Sequence, residues 1–387
     1  MNTEYLHPLD DALINELSCN SNLKSLFHST VFYKNSIPDT LNFDLAILGV
    51  EEDRYRSEYA GCATAPDEIR KDFYALIKPR NDLKIWDLGN IHAGNSIRDS
   101  HFALSQVLNP LIKNKIVTII LGGTQDLIAA QYAAYQSLKP NMNLLVVDAK
   151  VDMHTNENSM KSGYLPRIIT QENANLFNIT QAGYQSYYVE PETYDAFERM
   201  NFDMLRLGSL RGNMQEIEPY CRNANMLAFS IQSIRAADAP GQSKPSPNGF
   251  AGEEACQLCR YAGMSNDVMS AGFYDFNPDK DNHGITASLL GQMLWYFVEG
   301  YVNRRNDYPV PDSKDYLIYR THSKNLTHEV VFYKSVHTNR WWMEVPYPRE
   351  RSKQEGKFLV PCSYKDYQTA QNDELPDKWM KTFQKLS

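Results

Sequence analysis

Short apolar runs of strand length alternate with helical stretches through most of this chain, and that alternation limits its fold more than any other feature. Runs at 44–49, 83–89, 116–123, 144–148, 204–208, 226–230 and 268–276 are rich in apolar residues, and several end in Gly or a carboxylate. Helical patterns lie between them, at 126–138, 191–200 and 252–262. Apolar strands separated by helices predict a mainly parallel sheet with helices on both faces, because each crossover must return across a face. In such sheets chemistry collects at the carboxyl ends of the strands. Gln125, Asp148, Gln232 and Asp275 each follow or close a predicted strand, so they are the first candidates.

After Arg305 the pattern changes. Asn306-Asp307-Tyr308-Pro309-Val310-Pro311-Asp312 reads as a linker, and β-rich runs follow at 316–320, 329–333 and 340–345 with no helix between them. His337-Thr338-Asn339 is the expected hairpin turn between the last two, and 373–386 an amphipathic closing helix. The chain therefore divides into an N-terminal segment (1–40), a three-layer α/β domain (41–305) and a small C-terminal β-rich appendage (306–387). A length of 387 residues with 42% hydrophobic content suits a full core with such an addition.

A net charge of −8 supplies no basic stripe for phosphates and excludes a general nucleic-acid binder. The apolar-rich run 285–302 is broken by Gln292 and Glu299, so a buried helix is expected there and no membrane span. Residues 1–11 carry neither a basic nor an apolar signal region. Six cysteines without an export signal read as free thiols in a reducing compartment, which points to the cytoplasm.

The segment Val146-Val147-Asp148-Ala149-Lys150-Val151-Asp152 closes a predicted buried strand. If the extended run continues, Asp148, Lys150 and Asp152 point the same way. Asp-x-His-x-Asp at this spacing would hold a pair of divalent cations, but the central position is a lysine, which offers donors and no lone pair while charged.

Taken in order, the motifs resemble those of the ureohydrolases, the family of arginase, agmatinase and formimidoylglutamase. Gly61-Cys62-Ala63-Thr64-Ala65-Pro66-Asp67-Glu68-Ile69-Arg70 resembles the family's Gly-Ala-x-x-Gly/Ala-Pro-x-x-Ile-Arg, and Asp87-Leu88-Gly89-Asn90 its Asp-x-Gly-Asp turn. Gly122-Gly123-Thr124-Gln125-Asp126 stands for Gly-Gly-Asp-His-Ser, Asp148 to Asp152 for Asp-Ala-His-x-Asp, and Ser230-Ile231-Gln232-Ser233-Ile234 for Ser-x-Asp-x-Asp. Tyr274-Asp275-Phe276-Asn277-Pro278 resembles Glu-Val-Asn-Pro, and segment 239–250 is most similar to the formimidoylglutamase branch. The resemblance spans roughly residues 40 to 305 and implies an arginase-like fold, a binuclear manganese site, hydrolysis of a C–N bond in a linear amidine, and oligomeric assembly.

Carried over residue by residue, the six manganese ligands fall on Gln125, Asp148, Lys150, Asp152, Gln232 and Ile234, and only Asp148 and Asp152 still match. Two carboxylates cannot fix two cations, and Ile234 has no lone pair to give. Four carboxylates within about 4 Å repel by several kcal/mol per pair at an effective dielectric of about 20 unless cations lie among them. A chain without the metals should shed carboxylates or gain a cation, and we expect the Lys150 ammonium to take the place of an ion between Asp148 and Asp152. Without the cations the bridging hydroxide of the hydrolytic mechanism cannot form. No cofactor is therefore expected, and the first reading is a metal-site-degenerate protein kept for binding a protein partner or a small ligand. An active amidine hydrolase, and a metal-independent enzyme reusing Asp148, Lys150, Asp152 and Asp275, are the alternatives.

Asp275 matches the family carboxylate that meets the substrate's cationic nitrogen, so Asp275, His154 and Asn277 are expected around a residual ligand pocket. His154 could complete a single-metal site with Asp148 and Asp152, although a locally hydrogen-bonded loop histidine is the simpler reading. Cys256 and Cys259 form a lone C-x-x-C, read as a buried helix face, and His283 as a helix-start residue. Alternation in the appendage puts Trp341 and Met343 on one face and Arg340, Trp342 and Glu344 on the other. One tryptophan should pack the appendage onto the domain; Arg340, Trp341 and Trp342 are also the candidate anchor for a protein partner.

Overall fold

The computed structural model describes residues 3–38, 41–138, 141–156, 162–171, 175–310, 313–322, 329–348 and 356–387. Among these, nine strands form one sheet: β1 (Thr30–Phe32), β2 (Leu45–Val50), β3 (Ile85–Ile91), β4 (Val117–Leu121), β5 (Met142–Val147), β6 (Leu176–Tyr184), β7 (Asp203–Arg206), β8 (Met226–Ser230) and β9 (Ser270–Tyr274). Their spatial order is β1-β3-β2-β4-β9-β8-β5-β6-β7, and every neighbouring pair is parallel. The strands β2, β3, β4, β8 and β9 are buried along their whole length, as sheets covered on both faces require.

One apolar layer packs beneath the helices Ala65–Ala75, Gly252–Gly263 and Ile285–Val302, and a second beneath Ile97–Lys113 and Ile128–Ala133. The helix Ile285–Val302 is buried along most of its length, and among the described residues no helix is long and apolar enough to cross a membrane. Its close approach to Gly252–Gly263 depends on glycine: a Cβ on Gly263 would meet the Phe297 carbonyl oxygen at 2.1 Å.

Several elements went unread in the sequence. β6 was missed because Asn178, Thr180 and Gln181 interrupt its apolar pattern, yet all three side chains are buried. The segment expected as separate at 1–40 supplies the edge strand β1, and His7 bridges to Asn90. The helix expected at 126–138 is a 3₁₀ turn, Gln125–Leu127, followed by an α-helix that stops at Ala133.

The appendage is an antiparallel sheet of four strands among the described residues: β10 (Tyr316–His322), β11 (Glu329–Ser335), β12 (Trp341–Tyr347) and β13 (Gly356–Cys362). The helices Tyr364–Gln371 and Asp377–Leu386 follow, the first of them unforeseen. The hairpin lies where expected, between β11 and β12. Pro311 and Asp312 of the proposed linker fall outside the described residues.

Alternation along β12 holds. Trp341 and Met343 face the appendage's own core, where Trp341 stacks on Tyr367 with ring centroids 5.0 Å apart. Trp342 faces the α/β domain and lies under the Arg222 guanidinium, 4.3 Å from its ring centroid. Little of Arg340, Trp341 and Trp342, the candidate partner anchor, is exposed in the single chain. Trp342 is 1% exposed, Trp341 7%, and Arg340 is ion-paired to Glu218 at 3.1 Å and Asp307 at 3.2 Å. Trp342 and Arg340 join the appendage to the domain, and Trp341 packs inside the appendage.

A candidate degenerate metal centre

The strands β4, β9, β8 and β5 are consecutive neighbours in the sheet, so their carboxyl ends present Gln125, Asp275, Gln232 and Asp148 to one region. All four are buried. Asp275 sits at a φ of 69°, a left-handed conformation that Asp tolerates better than most residues. Its amide donates to the Gly123 carbonyl at 3.0 Å, and its carboxylate accepts from Ser230 Oγ at 2.6 Å and the Gln125 amide at 3.0 Å. Burial raises the Asp275 carboxyl to about 7, opposed by those hydrogen bonds. Asp148 is pushed to about 8, first by burial and then by the charge on Asp275, while the Lys150 backbone N–H opposes the rise.

At the centre of these residues lies a side chain that the motifs did not single out. The Tyr59 hydroxyl accepts from Gln232 Nε2 at 3.0 Å and lies 3.5 Å from Gln125 Nε2. Tyr59 is 4% exposed, and burial together with the charges on Asp275 and Asp148 pushes its phenol far above the usual range. It therefore stays a neutral hydroxyl. Gln125 Oε1 is buried without a partner; turning that amide over would let Tyr59 donate to it. Tyr59 stands on the turn Ser57–Tyr59 after β2, and its position beyond a strand's carboxyl end was the signal that could have found it.

The Lys150 ammonium does not bridge Asp148 and Asp152 by ion pairs among the described residues. β5 ends at Val147, so residues 148–152 do not continue the strand and the alternation does not apply to them. Gln181 Nε2 donates to the carbonyls of Asp148 and Lys150 at 3.2 and 2.9 Å, fixing the turn. The Lys150 ammonium lies over the Tyr188 ring, 5.3 Å from its centroid, and makes no ion pair with Asp148 or Asp152 among the described residues. The charge on Lys150 still favours the ionised form of Asp148, while Arg56 stands beside Asp152 with Nη2 3.8 Å from Oδ1.

His154 bonds Asp152 Oδ1 through Nδ1 at 2.7 Å, and its Nε2 lies 2.8 Å from Arg56 Nη2. Both ring nitrogens are thus engaged locally, and Asp152 Oδ2 accepts the Tyr164 amide at 3.1 Å. Asn277 does not line an open pocket either: its Nδ2 donates to the Ala60 carbonyl at 2.8 Å and its Oδ1 caps the following turn by accepting from Asp279 at 3.0 Å. Asp275 is 0% exposed. Ile234 is fully buried and packs in the main core.

The donor set therefore does not fit a binuclear manganese site. Two amides meet a phenol, an alkyl group faces the core, and the charged lysine has no lone pair to give. Among the described residues no group of three or more His, Cys, Asp or Glu is placed to hold a metal ion. Cys256 and Cys259 are free thiols on a buried helix face, and all six cysteines are unpaired.

The arginase family profile matches residues 43–299. A formimidoylglutamase of Staphylococcus aureus (strain JH9) is 25% identical over 283 residues, covering 69% of this chain and 88% of its own. One from Lysinibacillus sphaericus (strain C3-41) is 22% identical over 242 residues, covering 59% and 75%. The crystal structure of Trypanosoma cruzi formiminoglutamase with manganese superimposes with a TM-score of 0.63 at 18% identity, covering 68% of this chain and 95% of that one.

Proposed function

This chain belongs to the arginase family, and we propose that it is a formimidoylglutamase-like member that has given up the manganese site and hydrolysis and is kept for binding a protein partner or a small ligand. The observation that carries this reading is Tyr59. Its hydroxyl occupies the meeting point of Gln125 and Gln232, the two amides at former ligand positions. Metal-assisted hydrolysis needs cations to lower the pKa of a bound water, and this side-chain set has neither imidazoles nor enough carboxylates to hold them. The appendage beyond residue 299 lies outside the family match and is an added surface suited to a partner. Six unpaired thiols are in keeping with a cytoplasmic location. The competing reading, an active hydrolase of linear amidines, draws on the names of the relatives.

The test is the metal content of protein purified without chelators and dialysed against manganese, followed by an assay of formiminoglutamate hydrolysis. Trace metal and no turnover are expected. About two equivalents per chain, with turnover, would overturn the proposal.

A further inference from the structure

The two edges of the appendage sheet are finished differently. β13 carries Pro361 and lies against the α/β domain, with Phe358 5.8 Å from the Phe177 ring and the Cys362 carbonyl accepting from Arg222 at 3.4 Å. β10 has no such cover. All seven of its residues pair with β11 without a bulge, none is a proline, and among the described residues no strand lies on its other side. Sheets commonly blunt an edge with proline, a bulge or a charge that points inward. Here Leu317 and Ile318 stand 49% and 54% exposed, one on each face of the strand.

The ladder fixes which main-chain groups look outward. The Val336 N–H donates to the Asp315 carbonyl at 2.9 Å, one step beyond the pair of Tyr316 with Ser335. Hydrogen-bonded residues alternate along an antiparallel pair. The odd-numbered residues of β10 therefore bond to β11, and Tyr316, Ile318 and Arg320 turn their N–H and C=O groups to the open side. That row is a template for one more strand.

The side chains decide which strand fits. Two copies of one strand pair antiparallel about a twofold axis normal to the sheet. Opposed side chains share a face, so the axis passes through a residue that meets its own copy. An axis at Leu317 brings Lys314 toward the partner's Arg320, two like charges. An axis at Tyr319 sets the Arg320 guanidinium against the partner's Ile318. An axis at Ile318 joins Ile318 to its copy, Leu317 to the partner's Tyr319 and Tyr316 to the partner's Arg320. Those are apolar and cation–aromatic pairs, the kinds that stabilise neighbouring strands. Arg320 is the only Lys, Arg, Asp or Glu from Tyr316 to Thr321, and its bond to Glu329 at 3.2 Å holds it on the face where Tyr316 stands.

We propose that a second copy of this chain adds to β10 as an antiparallel strand about a twofold axis at Ile318, joining the two appendage sheets into one. β10 lies beyond the family match at 43–299, and the pairing is independent of whether the former metal site is catalytic. One strand pair is a small contact, so the dimer is reversible.

Sedimentation equilibrium of the full chain from about 1 to about 500 µM tests it, with an expected dimer Kd of about 1–100 µM. Ile318→Lys changes an exposed side chain and should weaken the dimer at least about tenfold, whereas Val336→Lys, exposed outside the strand, should not. Ile318→Cys, in a Cys19→Ser background, reads the register and decides the matter if Ile318→Lys does not fold. Its copies should lie about 5.5 Å apart between Cα atoms and form a disulfide-linked dimer on mild oxidation. Arg320→Cys would lie about 14 Å from its own copy and should link only when mixed with Tyr316→Cys. A monomer at every concentration, a dimer indifferent to Ile318→Lys, or faster self-linkage by Arg320→Cys than by Ile318→Cys would each overturn the proposal.

Discussion

The Tyr59 hydroxyl accepts a hydrogen bond from the Gln232 side chain at 3.0 Å, across 173 positions of sequence. This one contact joins the turn after β2 to the end of β8, at a position that aligns with a ligand of the family's metal site. A neutral phenol and two amides meet there.

Tyr59→Phe should therefore destabilise the fold without touching the surface. It removes the acceptor of a buried amide, an effect of about 1–3 kcal/mol. Urea denaturation should show a lower midpoint with an unchanged slope. No change in midpoint would mean that the amides find other partners.

Restoring the family ligands with Gln125→His, Lys150→His, Gln232→Asp and Ile234→Asp should not be enough to bind manganese, because Tyr59 still occupies the space between them. Adding Tyr59→Ala should bring manganese into the dialysed protein, read by elemental analysis. Equal metal content with and without the Tyr59 change would place the tyrosine outside the space between the four restored positions.

Arg70 is 0% exposed and binds Asp87 through Nε at 2.8 Å and Nη2 at 3.0 Å, with Tyr74 also on that carboxylate. Arg70→Met leaves Asp87 buried without its cation and should cost about 3–5 kcal/mol. The double variant Arg70→Met/Asp87→Leu should recover part of this loss in the same denaturation assay.

Trp342→Ala opens a cavity between the appendage and the domain and strips the ring from Arg222. We expect a loss of about 3–5 kcal/mol. The readout is faster amide exchange in β12 and β13 than in β4. A fold of unaltered stability that loses only a binding partner would instead make Trp342 an anchor for that partner.

Lys385, on the helix Asp377–Leu386 that packs against the domain, has its pKa lowered to about 8 by burial, with Asp203 opposing the drop and Lys381 and Lys378 adding to it. Its folded pKa lies below the unfolded value, so the unfolded chain binds more protons between about 8 and about 10.4. The cost of burying the charge is fully present below that window and is relieved as pH rises through it. The stability of wild type relative to Lys385→Met should therefore increase from pH 7 to pH 10; a flat difference would show that the ammonium remains solvated.

The order of apolar runs determined the α/β class, the positions of most strands and the separate C-terminal sheet, because burial on two faces forces an apolar pattern that needs no tertiary knowledge. It also placed Gln125, Asp148, Gln232 and Asp275 at strand ends, and the family resemblance explained why those ends matter. Sequence could not order the strands: only the arrangement β4-β9-β8-β5 makes those four residues neighbours. Nor could it see that β5 stops at Val147, which turns Lys150 onto Tyr188 and leaves Arg56 beside Asp152. Those outcomes were set by long-range contacts from the turn after β2 and from Gln181 on β6. Periodicity records which face of an element is apolar; what stands opposite that face is decided by packing.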